Sequence, residues 1–438
     1  MSLFGAMNTA ISGLSAQSAA FANISDDVAN SQTVGFKRVD TAFIDFLTTS
    51  TAATNSSGAV VARPEYQNNI QGTVAQSDNP LALAIGGQGF FPVSQLVGGT
   101  SSADTFSPTP QYTRTGDFQL DKSGYLVNSA GAYLNGWSVN PTTNVVNRNT
   151  VAPIQVNQTE FNPVASTAVT LSANLPATPS AGVPVSSQIN IYDGLGTAHA
   201  VSLTWTQSAT NDWTVAINVP DDTSGTAARG TAEVKFGTAT SGNTVPDGTV
   251  GSVDSNVTGT VTGAPYVPGK PASLSFTTNF GSGPQTVALN LGDFGSSTGL
   301  TQYAGTAYSL RGLTQNGVPP GSFSSISTTA AGDINVNYDN GQVRTIARVP
   351  VVTFSSPDSL QRQNGQSFTA TANSGTPIAS DAGTNGAGTL ITSSVEQSNV
   401  DIAQEFSNLI VAQRAYSANT KLVTTADDML QQTIDMKR

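Results

Sequence analysis

The chain has 438 residues, a formal net charge of −11 and a charged fraction of only 10%. Ordinary globular proteins carry roughly 25% charged residues, so a polar but weakly charged surface is expected over two or three domains. The acidity argues against a nucleic-acid partner, the lack of cysteine excludes disulfides and thiolate metal sites, and no apolar run is long enough for membrane insertion.

Phe4, Met7, Ile11, Leu14, Ser18, Phe21, Ser25 and Val28 recur at alternating spacings of three and four. That spacing puts them on one stripe of a helix over residues 2–30, roughly 40 Å long. Gly5 and Gly13 weaken this helix by about 1 kcal/mol each, so it should be poorly ordered alone. Met1–Ile11 has no basic residue and no long apolar run, unlike a Sec-type signal peptide. The chain is therefore expected in the cytoplasm, or exported by a route that leaves its N-terminus intact. Residues 48–60 are polar and of low complexity and read as a linker or loop.

From about residue 70 the period changes to two. Val201, Leu203 and Trp205 alternate with polar residues, as do Trp213, Val215, Ile217 and Val219, which predicts a hairpin. Similar strands are expected at Leu274–Phe276, Val287–Leu291, Ile334–Tyr338 and Ile346–Phe354. The middle of the chain is thus an all-β body of sandwich or barrel-like units, with 221–270 as a loop-rich lobe.

Toward the C-terminus, Ile402, Leu409, Tyr416, Val423 and Leu430 recur every seventh residue. Ala412, Asn419 and Ala426 fall between them, with Ala415, Leu422, Met429 and Met436 beside them. This is the coiled-coil pattern, and it predicts a helix over Val400–Met436, roughly 55 Å long. Asn419 is a polar interruption of the kind that fixes register. Asp401 and Glu405 at its start, and Lys437 and Arg438 at its end, match the helix dipole. Both apolar stripes are terminal and longer than a β domain can cover, so self-association through them is the simplest reading. The fold class is α+β multidomain, with the terminal helices paired as a coiled-coil-like inner domain and all-β domains nested between them.

Residues for catalysis are scarce. His199 is the only histidine, in an expected turn, and no Gly-x-Ser-x-Gly elbow surrounds a serine. Asp26-Asp27, Asp221-Asp222 and Asp427-Asp428 read as solvated or helix-end charge, without calcium-loop spacing. Gly86-Gly87-Gln88-Gly89 lacks the Lys-Ser/Thr of a phosphate loop and runs into a strand. No catalytic, cofactor or metal site is assigned.

Four blocks resemble the bacterial flagellar rod and hook axial proteins. Asp26-Asp27-Val28-Ala29-Asn30-Ser31-Gln32-Thr33-Val34-Gly35-Phe36-Lys37-Arg38 is similar to the segment after that family's first helix, which more often has Asn-Asn at the first two positions. Ala84–Phe91 resembles its Gly-rich strand, and Tyr112-Thr113-Arg114-Thr115-Gly116-Asp117-Phe118 its next block. Ser398–Phe406 and Gln413–Asn419 resemble the C-terminal block. Tyr192–Gly196 with Trp205 and Trp213, and Tyr338–Gln342 leading to Leu360, are similar to the hook branch rather than the shorter rod branch.

The resemblance implies a structural subunit of the hook, a self-assembling curved and flexible tube that joins rod to filament and transmits torque as a universal joint. A distal rod subunit and a secreted β-rich adhesin or hydrolase are the alternatives. It implies a homopolymer outside the cell, with rod, hook cap, hook–filament junction proteins and export apparatus as partners, exported without a cleaved signal. The polymer interface is expected at Phe4, Met7, Ile11, Leu14, Phe21, Val28, Ile402, Phe406, Leu409, Tyr416, Leu422, Val423, Met429 and Leu430. Asn30, Gly35, Phe36, Lys37, Phe43 and Phe46 mark the connecting segment, where Phe36, Phe43, Phe46 and Leu47 are expected packing anchors and Lys37 and Arg38 partners for a neighbour's acids. The expected domains are 1–30 with 400–438 (inner helices), 31–74 with 376–399 (extended linker), 75–150 with 322–375 (inner β) and 151–321 (outer β, subdivided near 221–270).

Overall fold

The computed structural model describes residues 3–50, 55–100, 103–141, 143–179, 183–238 and 242–436. The side chains of 3–4, 47–50, 55–57, 99–100, 103 and 254–255 lie outside that description, so the readings on Phe4, Leu47, Lys437 and Arg438 fall outside the described residues. The chain divides into two compact units: 1–158 with 324–337 and 343–438, and 159–323 with 338–342.

In the first unit the N-terminal helix spans Leu3–Ala29 and the C-terminal helix Ile402–Asp435. They run antiparallel. Gly13 faces Asn419, the Phe21 ring meets Tyr416 edge-on at 6.4 Å, and Asp27 lies near Glu405. Small residues make the close approach possible. Ala10 and Ala20 are buried on one helix, and Ala412 and Ala426 on the other. A Cβ on Gly13 would sit 2.9 Å from Asn419 Nδ2, so the glycine that weakens the isolated helix is what lets the pair close. Asp401 caps the second helix, its Oδ1 accepting the amides of Ala403 and Gln404 at 2.9 and 3.2 Å.

The loop expected at 48–60 is instead part of a β-hairpin. Val39–Ser50 pairs antiparallel with Asn55–Tyr66, from Val39 opposite Tyr66 to Ser50 opposite Asn55. A lone two-stranded hairpin is marginal in water. Here it lies along the N-terminal helix. Asn23 Nδ2 donates to Thr41 Oγ1 at 2.8 Å, and the Val60 amide donates to Ser12 Oγ at 3.1 Å.

The β part of this unit is a sheet in which Phe91–Thr100 pairs with Gln111–Thr113 and Ala132–Val139. Its core includes Leu83, Ile85, Phe91, Phe118, Leu134, Val349 and Leu390. The strand expected over 346–354 is broken into Val343–Arg348 and Val351–Thr353 at Pro350, which has no amide to donate. Outgoing and returning chain are joined directly. Val74–Gln76 pairs with Ser394–Glu396, and Leu83–Gly86 with Thr389–Thr392.

The second unit is a sandwich of two sheets, six- and five-stranded among the described residues. The expected hairpin is present: Ala198–Ala209 pairs with Asp212–Asn218, placing Leu203 opposite Ile217 and Trp205 opposite Val215. Both tryptophans are fully buried. The described residues of 221–270 are loop-rich but do not stand apart as a lobe. Ala228–Phe236 and Val250–Ser255 are strands of the same sheet, and Val234, Phe236, Val250, Val253 and Val261 enter the core around Trp205.

Candidate functional site

The paired helices sort the expected interface residues into two sets. Met7, Leu14, Phe21, Val28, Leu409, Val423 and Leu430 are half-buried. Ile11, Ile402, Phe406, Tyr416, Leu422 and Met429 are exposed, Tyr416 at 41% and Leu422 at 60%. Ile410, Val411 and Ile434 join the exposed set, although the heptad reading missed them. Alanines take the most buried positions of the paired helices, large apolar side chains such as Leu409 and Val423 are half-buried beside them, and a further row stays exposed. Exposed apolar rows are the kind of surface that interaction sites use.

A second feature lies where the family-like blocks converge. Lys37, Arg114 and Glu396 are each at most 1% exposed. Lys37 Nζ lies 2.6 Å from Glu396 Oε1, and Arg114 Nη1 lies 2.9 Å from Glu396 Oε2. The remaining hydrogen-bonding capacity is nearly used up. Lys37 Nζ also donates to the Ile70 carbonyl at 2.5 Å, Arg114 Nη2 to the Gly87 carbonyl at 2.7 Å, and the Gly72 amide to Glu396 Oε1 at 2.8 Å. Burial pushes both basic groups below their usual range, while Glu396 pulls them back up.

Neighbouring motif residues serve this junction. The Gly35 amide donates to the Glu396 carbonyl at 2.8 Å. Gly35 has φ of +72°, and a Cβ there would meet the Thr115 amide nitrogen at 2.6 Å, so only glycine fits. Phe36 is buried beneath the Arg362 guanidinium, 4.3 Å from its ring centre. Asn30 Nδ2 donates to the Asp26 carbonyl at 2.9 Å and ends the helix.

Two expectations are corrected here. Lys37 and Arg38 pair within the chain: Arg38 lies 3.1 Å from Asp40 and 3.9 Å from Glu405. Phe43 and Phe46 are about half exposed on the hairpin rather than buried anchors, and Phe43 lines a groove beside Ala20 and Ile24 of the N-terminal helix.

Asp26, Asp221, Asp427 and Asp428 are exposed as the solvated reading expects, but Asp27 and Asp222 are not. Asp222 is buried. Burial pushes it up, but donors Ser224 and Thr278 and the amides of Asn279 and Ser224 outweigh that and hold it well below the usual carboxylate range. Asp27 is 1% exposed, and its two oxygens accept the Val39 amide at 3.1 and 3.2 Å. Burial, partly offset by that amide and reinforced by Glu405 and Asp26, raises its pKa from 3.8 to about 7.

The folded state thus binds the Asp27 proton more tightly than the unfolded chain. Its contribution to stability is fullest below about pH 4, falls as pH rises toward 7, and is flat above. Asp27→Asn is expected to remove this slope and to be the more stable form at alkaline pH, by a few kcal/mol at most. Thermal unfolding across that pH range checks it, and a slope that persists in the variant assigns the titration to another group.

His199 lies on a strand, not in a turn. Its ring stacks on Phe280 at 3.7 Å, with Asp221 at 3.2 Å and Asp193 at 3.5 Å. Gly87 and Gly89 have φ of +108° and +125° in a tight connection between strands, and a Cβ on Gly89 would meet Val351 Cγ1 at 2.2 Å. Among the described residues no cluster of His, Asp and Glu is arranged to hold a metal, and no helix is long and apolar enough to cross a membrane.

Four family models match the chain. They are described as flagella basal body rod protein (residues 7–37), flagellar hook protein FlgE/F/G D1 domain (84–226), flagellar basal body protein FlaE D2 domain (162–318) and flagellar basal body rod FlgEFG protein C-terminal (391–436). The flagellar hook protein FlgE of Brucella abortus biovar 1 (strain 9-941) is 30% identical over 443 residues, covering 100% of both chains. The chain belongs to the flagellar hook protein family. The hook protein FlgE of Escherichia coli (strain K12) is 27% identical, covering 99% of this chain and 100% of its own. The crystal structure of Helicobacter pylori flagellar hook protein FlgE2 aligns at a TM-score of 0.48 and 14% identity, over 72% of this chain and 98% of that one. Hook proteins are structural, so the chain is a hook subunit and not an enzyme, a rod subunit or an adhesin.

Proposed function

We propose that this hook subunit self-assembles through its terminal helices into the curved, flexible tube that transmits torque from rod to filament. One observation carries the reading. Large apolar side chains, Phe406, Ile410, Val411, Leu422, Met429 and Ile434, stand exposed along a helix whose most buried apolar positions are alanines. Burying them between copies supplies about 25 cal/mol per Å² of apolar surface. In this reading 1–30 with 400–438 form the inner layer, 31–74 with 376–399 the connecting layer, 75–150 with 322–375 the inner β domain and 151–321 the outer one. The scarcity of surface charge suits a joint whose outer domains slide past one another, because few ion pairs must break. Rod, cap, junction proteins and export apparatus are its partners by family resemblance.

Electron microscopy of the intact chain and of a chain lacking 400–438, both concentrated, tests the proposal. Tubes are expected from the intact chain alone, with the truncated chain remaining soluble and β-rich by circular dichroism. Tubes from the truncated chain place the contact elsewhere.

A further inference from the structure

Between the hairpin and the C-terminal helix lies a groove of about 310 Å³, lined by Gln17, Ala20, Ile24, Phe43, Asn408 and Val411. Glu405 forms part of its wall and is 1% exposed. Its Oε2 accepts Asn408 Nδ2 at 3.4 Å, but no donor reaches its Oε1. The nearest cation, Arg38, holds Nη1 3.9 Å from that oxygen while its Nη2 sits 3.1 Å from Asp40. One guanidinium is thus shared between two carboxyl groups, with Asp27 a third acid nearby. Buried carboxyl oxygens normally find a donor, and this one, buried in the groove wall, has none among the described residues.

The complementary feature is on the same helix. Arg414 and Lys421 are exposed and make no ion pair among the described residues. At about 100° per residue, both lie roughly 160–180° around the helix from Glu405. Ile410, exposed at 50%, and the small residues Ser417 and Ala418 share that free face. It carries two cations, one large apolar group and room for close approach.

We infer that the groove receives this face of the C-terminal helix of a second copy, with Arg414 brought to the Asp40 and Glu405 carboxyl groups and Ile410 lying against Phe43 and Val411. The occupant follows from charge: an acid-rich groove short of a cation meets a face with two unpaired cations. Arginine suits the site better than lysine, because its planar fork can reach Glu405 and Asp40 together. Groove and inserted face are different surfaces of one chain. Such a contact repeats along an open polymer rather than closing a dimer. The inference rests on the self-assembly reading and adds the pairing to it.

Sedimentation of the intact chain against concentration gives its critical concentration for assembly. Arg414→Gln and Glu405→Gln are each expected to raise it about tenfold, and the double variant about tenfold rather than a hundredfold, because the two residues share one interaction. Effects that multiply, or an Arg414→Gln chain that assembles like its parent, overturn the pairing. A contact readout guards against misfolding of the Glu405 variant. The chain has no cysteine, so mixed Asn408→Cys and Ala418→Cys copies, assembled with an added mild oxidant such as oxidised glutathione, should form a disulfide-linked dimer that neither variant forms alone. Assembled mixtures without that crosslink overturn the docking. A parent chain that stays monomeric at every concentration sinks the self-assembly reading and the pairing together.

Discussion

Glu396→Ala is expected to lower the stability of the first unit by about 3–5 kcal/mol, the cost of leaving buried charge uncompensated. The carboxylate sits between Lys37 at 2.6 Å and Arg114 at 2.9 Å, with all three groups inaccessible to water. Removing it leaves two buried cations facing each other, and the Gly72 amide loses its acceptor. Replacing Lys37, Arg114 and Glu396 together by methionine should recover much of the loss, because no unpaired charge then remains. The single variant should also change the pH response. Burial already lowers the Lys37 pKa, and Glu396 is what raises it back. Without Glu396 the folded state sheds the Lys37 proton more readily than the unfolded chain, so stability should rise with pH toward the ordinary lysine range. Calorimetry across pH reads both effects, with the Trp205 and Trp213 core of the second unit as an internal control. A Glu396→Ala chain within about 1 kcal/mol of its parent contradicts the account.

That cluster explains why parts of the fold were legible in sequence and others were not. The strands Ala198–Ala209 and Asp212–Asn218 declare themselves because burial on one face writes a period of two into Leu203, Trp205, Trp213 and Val215. The terminal helices declare themselves by their three-four spacing. Lys37, Arg114 and Glu396 carry no such mark, since 282 residues separate Arg114 from Glu396 and 359 separate Lys37 from Glu396. Their only trace was position: Lys37 and Arg114 both fall inside blocks that resemble the family. The hairpin over 39–66 was hidden for a different reason. Residues 48–58 have the composition of a loop, and side-chain hydrogen bonds such as Asn23 to Thr41 help hold the hairpin to the helix.

The helices show a subtler limit. A heptad reading finds an apolar stripe but not the surface it meets. The heptad row through Ile402, Tyr416 and Leu430 predicts one seam, yet the buried positions are Ala412 and Ala426, with Ile402 and Tyr416 near half exposed although Tyr416 meets the Phe21 ring. Close packing against Gly13 and Asn419 favours the small residues, and the large ones are displaced outward.

That displacement yields the second large effect. The triple variant Phe406→Glu, Leu422→Glu and Met429→Glu is expected to abolish assembly at concentrations where the parent is fully polymerised. Each of these side chains is between 52% and 60% exposed in the single chain. Burying the exposed half of each is worth about 1 kcal/mol, which the variant forfeits three times. A glutamate carried into the same contact also demands an unpaired buried charge, at several kcal/mol per site. The monomer should be indifferent, because surface substitutions usually change stability by less than about 0.5 kcal/mol. Ala412→Glu or Ala426→Glu should behave the opposite way and separate the helices within the chain before any polymer forms. Unfolding curves and sedimentation on the same samples distinguish the two classes. If the triple variant folds and polymerises like its parent, the outer row of the C-terminal helix is not the contact. The half-exposed Phe43 and Phe46 of the hairpin would then be the next apolar surface to charge.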